Sequence, residues 1–236
     1  MCMHHIHKDY LCGFEKFNKK RKNRKSCQNA AVIVETRPTW QLPLVIKNFA
    51  ALNENFNYYL FGSEEIIDFT KKHVKNLDYF TIKRSNTTPF VHFYNYLLKK
   101  KSFWNLFHEE NILIFQSDTI ALKPIEEQCF SFDFIGAACG TLSFDFSIFD
   151  INGGCSLRKK SSILKCLEEY DGKDVGAEDV FFTRAMKNMD FKLPTFDECQ
   201  SFSVESLYND NHIYPCCLHG TDKFYLPTEQ VKKWIY

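Results

Sequence analysis

The feature that most constrains the fold is an alternation of short, apolar runs with helical patterns between residues 30 and 115. The strand-like runs are Ala30–Glu35, Asn57–Gly62, Tyr79–Lys83 and Asn111–Phe115. The helical patterns begin at Pro43, after Ser63, and at Phe90, the last reaching about Phe107. Strands that alternate with helices at this spacing are typical of βαβ units. The sequence therefore predicts an α/β fold with a mostly parallel central sheet and helices on both faces.

The second half of the chain is less regular. We predict a strand at Phe132–Gly136, a loop at Gly140–Asp150, and helices at Lys159–Tyr170 and Glu178–Asp190. No internal repeat appears, and no low-complexity linker divides this half from the first. The pattern therefore predicts one domain over residues 30–236, with a Rossmann-like front half and an irregular back half.

The distribution of charge distinguishes a leader, residues 1–29, from the rest of the chain, which we call the body. Residues 1–29 contain eight Lys or Arg against two acids, a net charge of +6, whereas the whole chain carries only +1. This composition predicts a basic, mobile leader. Its segment 19–25 could contact nucleic acid or an anionic surface, act as a nuclear address, or be a solvated tail without a partner. The body carries −5, which argues against nucleic acid as the main substrate.

The ten cysteines contain no Cys-x-x-Cys pair, and several lie inside apolar segments. No secretory signal and no run long enough to span a membrane are visible, so we expect a cytoplasmic protein. Reduced thiols that act as small core residues are then the better interpretation.

In open α/β sheets, ligands bind beyond the carboxyl ends of the strands. Glu35-Thr36-Arg37 follows the first predicted strand and Gln116-Ser117-Asp118 the fourth. Glycine-rich dinucleotide and P-loop motifs are absent near the first strand. A lone acid after a buried strand suits a divalent cation that is bridged to a diphosphate, and hard oxygen ligands suit Mg²⁺ or Mn²⁺. For Asp118, a helix cap or turn residue is the alternative.

Five motifs occur in an order and spacing that together form a specific signal. They are Ala31-Val-Ile-Val-Glu-Thr-Arg37, Ile112-Leu-Ile-Phe-Gln-Ser-Asp-Thr119, Phe132-Asp-Phe-Ile-Gly-Ala137, Asn152-Gly-Gly-Cys-Ser-Leu-Arg158 and Glu178-Asp-Val-Phe-Phe182. From about Ala30 to Lys223 the chain resembles a poorly characterised glycosyltransferase-like family. That family is spread among large DNA viruses, bacteria and fungi, and is similar to nucleotide-sugar transferases of the GT-A fold.

The resemblance implies a nucleotide-sugar donor, Mn²⁺ or Mg²⁺, and a hydroxyl acceptor that is a glycan, a protein or a small molecule. Gln116-Ser117-Asp118 takes the place of the Asp-x-Asp motif, with Gln replacing the first acid and Asp118 as metal ligand. His219-Gly-Thr-Asp-Lys223 is similar to a segment that closes some GT-A donor sites. It implies a metal-ligand role for His219 and diphosphate binding by Lys223.

The resemblance also assigns the remaining positions. Glu35, Thr36 and Arg37 would meet the base and ribose, although Arg37 could instead pair with a neighbouring acid. Asn152, Gly153 and Gly154 would line the sugar and acceptor pocket, and a tight turn or bulge is the alternative for the two glycines.

Glu178 and Asp179 are implied as a catalytic pair. Asp179 is the general base, and Glu178 orients hydroxyl groups of the acceptor or the sugar. The alternative is that both acids merely favour the first turn of a helix through its dipole.

The function that follows is transfer of a sugar from a nucleotide-sugar to a hydroxyl group, metal-assisted and inverting. Two alternatives from other classes stay open. One is a non-catalytic GT-A-like module that binds nucleotide-sugars, because the Asp-x-Asp motif is incomplete. The other is a nucleic-acid-associated protein that acts through the basic leader.

Overall fold

A computed structural model describes residues 15–16, 27–139, 149–170, 176–205 and 214–220. The described strands are β1 (Glu15–Lys16), β2 (Asn29–Glu35), β3 (Asn57–Gly62), β4 (Asp78–Thr81), β5 (Asn111–Phe115), β6 (Ile120–Ala121), β7 (Phe134–Cys139), β8 (Asp150–Lys159), β9 (Ser203–Val204) and β10 (Cys217–Leu218). Seven of them form the central sheet in the order β1-β4-β3-β2-β5-β8-β7, and the others form a small sheet in the order β6-β10-β9.

The centre of the large sheet is parallel. Strands β4, β3, β2 and β5 pair in parallel, whereas β8 is antiparallel to both of its neighbours, β5 and β7. The edge strand β1 is antiparallel to β4. Five of these seven described strands thus run in one direction, which confirms the prediction of an α/β fold with a mostly parallel central sheet.

Helices cover both faces of the sheet. They are α1 (Leu42–Leu52), α2 (Glu64–His73), α3 (Phe90–Leu98), α4 (Lys101–Trp104), α5 (Lys160–Glu169), α6 (Glu178–Asn188) and α7 (Phe196–Phe202). Alternate residues of β2 show the division. Val32 and Val34 belong to the apolar core under α3 to α6, whereas Ala31 and Ile33 belong to the core under α1 and α2. Because strand side chains alternate between faces, a fully apolar strand fills both cores.

The prediction of one long helix from Phe90 to about Phe107 is wrong, because the helix is interrupted between α3 and α4. Lys100 is extended, with φ −108° and ψ 122°. Lys99 is buried and donates from Nζ to the carbonyl oxygen of Gly176 at 2.7 Å, and the Trp104 indole donates to the Leu98 carbonyl at 2.6 Å. The indole thus satisfies a carbonyl at the end of α3, and the Lys99 side chain reaches across the fold to the segment before α6; the apolar pattern alone reveals neither contact.

Other boundaries agree well with the sequence. Strands β3 and β5 have the predicted bounds, and the Ser63 hydroxyl caps α2 by accepting from the Ile66 amide at 3.4 Å. The strand predicted at Phe132–Gly136 is β7, which begins two residues later and ends three residues later. Helix α7 and the small sheet were not predicted, and residues 140–148 of the predicted loop lie outside the described part.

Two residues of the leader pair with the body. Glu15 and Lys16 form β1 opposite Thr81 and Phe80, so this part differs from the mobile leader that charge predicts. The basic segment 19–25 lies outside the described residues. The domain boundary at residue 30 therefore stays a prediction.

The eight described cysteines are reduced thiols, and several are buried in the two cores. This agrees with their expected role as small core residues. Of the helices in the described ranges, none is both long enough and apolar enough to cross a membrane.

Candidate functional site

Strand register brings the motif residues to one edge of the sheet. Cys155 of β8 pairs with Phe115 at the end of β5. Because β8 is antiparallel, the residues before Cys155 lie beside those that follow Phe115. The His219 ring lies against Gly154 and 3.3 Å from Gln116 Oε1, which brings these two motifs to the same place. Strand β2 also ends at this edge, at Glu35.

A cavity of about 540 Å³ opens at this edge. Its lining includes Arg37, Trp40, Phe90, Gln116, Ser117 and Asp118. The volume is typical of a site for a small organic ligand or cofactor. The lining combines aromatic side chains with a guanidinium and a carboxylate, so it suits a ligand with both apolar rings and charged groups.

Arg37 lies on one wall of the cavity and pairs with Glu35 behind it. Glu35 is buried and accepts from Arg37 Nε at 2.9 Å and Arg37 Nη2 at 2.8 Å. Its Oε2 also accepts from the Ser117 hydroxyl at 3.0 Å. The guanidinium lies 4.2 Å from the centre of the Phe90 ring. Arg37 therefore pairs with an acid and also lines the cavity, whereas Thr36 accepts a hydrogen bond from Arg84 Nε at 3.0 Å.

Three side chains that could contact a cation meet on the floor of the site. His219 Nε2 lies 3.6 Å from Asp118 Oδ1 and 3.3 Å from Gln116 Oε1. His219 is buried, and Asp118 is mostly so. One imidazole nitrogen and two oxygens form a ligand set that suits Mn²⁺. A cation bound by these three side chains would need further ligands from a substrate.

No cluster of three or more His, Cys, Asp and Glu side chains is arranged around a metal position within the described ranges. A cation between Asp118 and His219 would therefore need further ligands from a substrate, as diphosphates supply to Mg²⁺ sites. Lys223, which was expected to bind the diphosphate, lies outside the described residues.

Two consecutive glycines let neighbouring side chains pack directly against the backbone of β8. A Cβ at Gly154 would overlap the His219 ring, and a Cβ at Gly153 would overlap Glu178 and Arg158. Only glycine fits these two positions, because other side chains occupy the space where a Cβ atom would lie.

The glycines also lie in an irregularity of β8, because Gly136 pairs with Ser156 and Ala137 with Asn152, so that residues 153–155 fall between two consecutive residues of β7. The bulge alternative is therefore confirmed, and it occurs together with the close approach.

Asp179 lies against the first of these glycines. Its Oδ2 accepts from the Gly153 amide at 3.0 Å, and its Oδ1 accepts from the Val180 amide at 2.8 Å. The side chain is partly exposed. Asp179 thus stabilises the first turn of α6 and also lies beside the predicted sugar pocket, so its role as base stays a prediction.

Glu178 points into the protein and binds Arg158. Arg158 donates to it from Nη1 at 2.6 Å and from Nη2 at 2.9 Å, and both side chains are buried. Burial alone would lower the pKa of Arg158, but the Glu178 carboxylate outweighs it and raises that pKa. Glu178 is buried and its carboxylate faces Arg158, so it holds this arginine beneath Gly153, whereas Asp179 is partly exposed. The orienting role expected for Glu178 stays a prediction.

Three residues of the site were missed from the sequence: Tyr94, Arg158 and Glu205. Arg158 carried a signal, since a charge in an otherwise apolar strand needs a buried partner. Tyr94 is buried and lines the cavity, and burial followed by the charge of Glu178 raises its pKa. Glu205 is positioned by the two-residue strand before it, and so short a strand has no sequence periodicity from which it could be predicted.

Cys139 lies near the same group of acids. Burial, followed by the charges of Asp179 and Glu205, raises the pKa of its thiol to about 12. A thiol with this pKa stays protonated at neutral pH, so Cys139 is a poor nucleophile.

Solved structures similar to the chain are distant in sequence. A 4-diphosphocytidyl-2C-methyl-D-erythritol synthase from Anaerococcus prevotii DSM 20548 gives a TM-score of 0.43 at 11% identity, covering 70% of this chain and 83% of that one. The apo glycosyltransferase GlyE of Streptococcus pneumoniae TIGR4 gives 0.48 at 13% identity, covering 85% of this chain and 55% of GlyE. This chain thus spans about half the length of GlyE.

No curated protein matches the sequence. A family model described as a protein of unknown function, DUF5672, matches residues 77–219. This range is more than half of the chain and includes Asp118, Gly153, Asp179 and His219. The chain therefore belongs to the DUF5672 family.

Proposed function

We propose that the protein is a glycosyltransferase that moves a sugar from a nucleotide-sugar to a hydroxyl acceptor. One observation carries the proposal. Gly153 and Gly154 bring a partly exposed carboxylate, Asp179, and a cation-ligand pair, Asp118 and His219, to consecutive residues of one strand. Glycosyl transfer needs a base on one side of the anomeric carbon and charge stabilisation at the leaving group on the other.

The cavity supplies a place for the nucleotide. Arg37 is held by Glu35, so its guanidinium is fixed before a ligand arrives, and preorganised groups bind with less loss of entropy. Phe90 and Trp40 add aromatic surface on the same wall. A fixed cation with aromatic neighbours suits the phosphate, ribose and base of a nucleotide-sugar.

The leaving group would meet the floor of the site. Asp118, His219 and Gln116 would hold Mn²⁺, or Mg²⁺, together with diphosphate oxygens. When bound, the ion supplies positive charge that stabilises the departing nucleoside diphosphate. Asp118 and His219 orient this end of the donor by fixing where the diphosphate is held.

Asp179 would act on the acceptor. Its two hydrogen bonds, from the Gly153 and Val180 amides, use one lone pair on each carboxylate oxygen. An ionised carboxylate has further lone pairs, so one stays available to accept the proton of the attacking hydroxyl. A base that acts on the face opposite the leaving group gives inversion at the anomeric carbon.

The test is a screen of UDP- and GDP-sugars with Mn²⁺, first for hydrolysis and then for transfer to hydroxyl acceptors. With an active donor in hand, Asp179→Asn should lower the transfer rate by roughly 10²–10⁴-fold, the usual range for general acid–base catalysis. Donor affinity should stay the same, because the base acts on the acceptor side.

Asp197→Asn is the matched control. Asp197 also lies in the first turn of a helix, α7, and its side chain is exposed. If both variants transfer sugar at the wild-type rate, Asp179 is only a helix-terminal acid and the assignment of the base is wrong.

A non-catalytic module is the second candidate, and Gln116 favours it. A neutral side chain stands where the Asp-x-Asp motif has an acid, which weakens attraction for a cation. Calorimetry with UDP- and GDP-sugars, with and without Mn²⁺, separates the two. Binding without hydrolysis or transfer in every combination supports the module, and turnover excludes it.

A further inference from the structure

The helix that carries Asp179, α6, begins without a side-chain cap of its own. The residue before it is Ala177, whose methyl group cannot accept a hydrogen bond. The first backbone amides of a helix have no partner within the helix, and a Ser, Thr, Asp or Asn at the preceding position usually accepts from one of them. In this protein the acceptor comes from a different helix.

Helix α3 supplies that acceptor. Asn95 Oδ1 accepts from the backbone amide of Glu178 at 3.1 Å. At the end of α3, the buried Lys99 donates from Nζ to the Gly176 carbonyl at 2.7 Å. Residues four apart lie on the same side of a helix, so one side of α3 binds the chain both before and after Ala177.

The Asp179 carboxylate depends on this turn, because Asp179 directly follows Glu178. Its Oδ2 accepts from the Gly153 amide at 3.0 Å, which places the carboxylate against β8. The same helix α3, nine residues long, also lines the cavity through Phe90 and Tyr94. One short helix therefore connects the cavity with the turn that carries Asp179.

We propose that Asn95 is a positioning residue for Asp179, which holds the first turn of α6 so that the carboxylate stays against the Gly153 amide. Asn95 is not among the described residues that line the cavity, so it acts through α6 and not on a ligand there. The importance of this placement for sugar transfer rests on the proposed function, whereas the placement itself does not.

Two anchors of the turn have different tasks. Arg158 binds the side chain of Glu178, whose rotatable bonds leave the backbone some freedom. Asn95 binds the backbone amide of Glu178 itself, and the backbone of Asp179 follows one peptide bond later. The amide contact therefore determines the position of Asp179 more directly than the ion pair does.

The first experiment observes the carboxylate contact without substrate or metal. The chain contains nine glycines, so selective ¹⁵N labelling of glycine in the full-length protein gives a simple NMR spectrum. Asp179→Ala defines the chemical shift of a Gly153 amide that has lost its acceptor. Asn95→Ala should move the Gly153 signal from the wild-type position towards that shift. The signal of Gly62, at the end of β3, should stay in place and serves as the reference.

A conservative variant and a matched control accompany Asn95→Ala. Asn95→Asp keeps an oxygen that can accept from the Glu178 amide, and the Lys99 charge four residues away offsets the added negative charge. Its Gly153 signal should stay close to the wild type. Asn188→Ala, at an exposed position at the other end of α6, should leave the signal unchanged. An unmoved Gly153 signal in Asn95→Ala, even with a lower melting temperature, shows a purely structural role and overturns the inference.

The second experiment measures transfer with a donor that the nucleotide-sugar screen has identified. Asn95→Ala should lower kcat by roughly 10–100-fold, because small displacements of a reacting group have effects of this size, and should leave the donor KM unchanged. Asn95→Asp should recover most of kcat. A raised donor KM with an unchanged kcat would mean that Asn95 acts on the cavity through α3, which contradicts the positioning role. Unchanged values of both constants contradict it as well.

The two experiments fail separately. If the wild type turns over no donor, the proposed function is wrong, while the Gly153 signal still decides whether Asn95 positions Asp179. If transfer occurs but both Asp179→Asn and Asn95→Ala retain the wild-type rate, the assignment of the base is wrong. A displaced Gly153 signal would then still confirm that Asn95 places the carboxylate.

Discussion

Two Glu–Arg pairs flank the site, and they differ in surroundings far more than in geometry. Glu35 and Arg37 are two residues apart, and the Arg37 side chain is 51% exposed. Arg158 and Glu178 come from β8 and α6, and their side chains are 0% and 2% exposed. Both pairs are bidentate, with nitrogen–oxygen distances of 2.6–2.9 Å.

This difference in exposure determines what each pair can contribute. The Arg37 guanidinium is half exposed, so water screens its charge, although the Glu35 carboxylate beneath it is buried. Removing one partner of a buried pair costs about 3–5 kcal/mol, since the other charge is left without water. The pair at Arg37 is therefore suited to present charge to a ligand. The pair at Arg158 fixes the strand beneath Gly153, whose carbonyl accepts from Arg158 Nη2 at 3.3 Å.

The largest effect on stability is expected at the buried pair. Glu178→Gln removes the negative charge and leaves the Arg158 guanidinium buried, so the free energy of unfolding should fall by about 3–5 kcal/mol. Urea denaturation measures this loss. Glu168→Gln, at an exposed position of α5, is the control and should change stability by less than about 0.5 kcal/mol.

The double variant Arg158→Met with Glu178→Leu sharpens the result. Apolar side chains in place of a buried ion pair are often neutral or stabilising, so most of the lost stability should return. A stable Glu178→Gln variant would mean that the two pairs behave alike, which contradicts the comparison.

The contrast also shows which part of the fold the sequence could predict. The front half is built from local patterns, and β3 and β5 were predicted with their observed bounds because apolar strands need no distant partner to be recognised. The Glu35–Arg37 pair was an open alternative for the same reason, since two residues separate its members. The broken helix shows the limit, because Lys99 bonds to Gly176 across the fold.

The site in the back half depends on contacts that are remote along the chain. The Asp118, His219 and Glu205 group forms only once the two-residue strands β9 and β10 pair. Such strands carry no readable periodicity, so Glu205 could not be identified. The residues of the motifs were found, but the buried role of Glu178 needed Arg158, twenty residues away.

The next effect is expected at the glycine above the buried pair. Gly153→Ala places a methyl group where Glu178 and Arg158 lie, so the neighbours must shift. Overpacking of this kind costs about 1–3 kcal/mol, which urea denaturation detects. The hydrogen bond from the Gly153 amide to Asp179 should weaken as well. Wild-type stability in this variant would show that the pair tolerates movement and is not a rigid support.

At the half-exposed pair we expect effects on both stability and binding. Arg37→Met keeps much of the packing against Phe90 but removes the charge beside the buried Glu35, so stability should fall by about 1–3 kcal/mol. The loss should be smaller than at Glu178, because the Arg37 backbone amide and the Ser117 hydroxyl still donate to the Glu35 carboxylate. Affinity for a nucleotide-sugar should fall by roughly 10–100-fold, because hydrogen bonds to charged groups contribute about 1.5–3 kcal/mol. Calorimetry measures the affinity. A large loss of stability with unchanged affinity would reverse the roles of the two pairs.

The smallest effect on stability is expected at Trp40, on the outer side of the Arg37 wall. The ring is 75% exposed and lines the cavity, so few contacts within the protein depend on it. Trp40→Ala should therefore leave the free energy of unfolding within about 0.5 kcal/mol of the wild type. If a nucleobase stacks on the ring, nucleotide affinity should fall by roughly 2–10-fold, the equivalent of about 0.5–1.5 kcal/mol for an aromatic pair.

A matched control and a spectroscopic measurement complete this test. Leu44 is 58% exposed and lies on α1, one turn beyond Trp40, but does not line the cavity, so Leu44→Ala should leave affinity unchanged. Nucleotide should quench part of the wild-type tryptophan fluorescence, and Trp40→Phe should remove that part of the quenching while retaining most of the affinity. Equal quenching in wild type and Trp40→Phe would place the base away from Trp40. The wall at Arg37 would then bind phosphate or ribose, and the half-exposed pair would still differ from the fully buried one, because the Arg37 charge is open to a ligand.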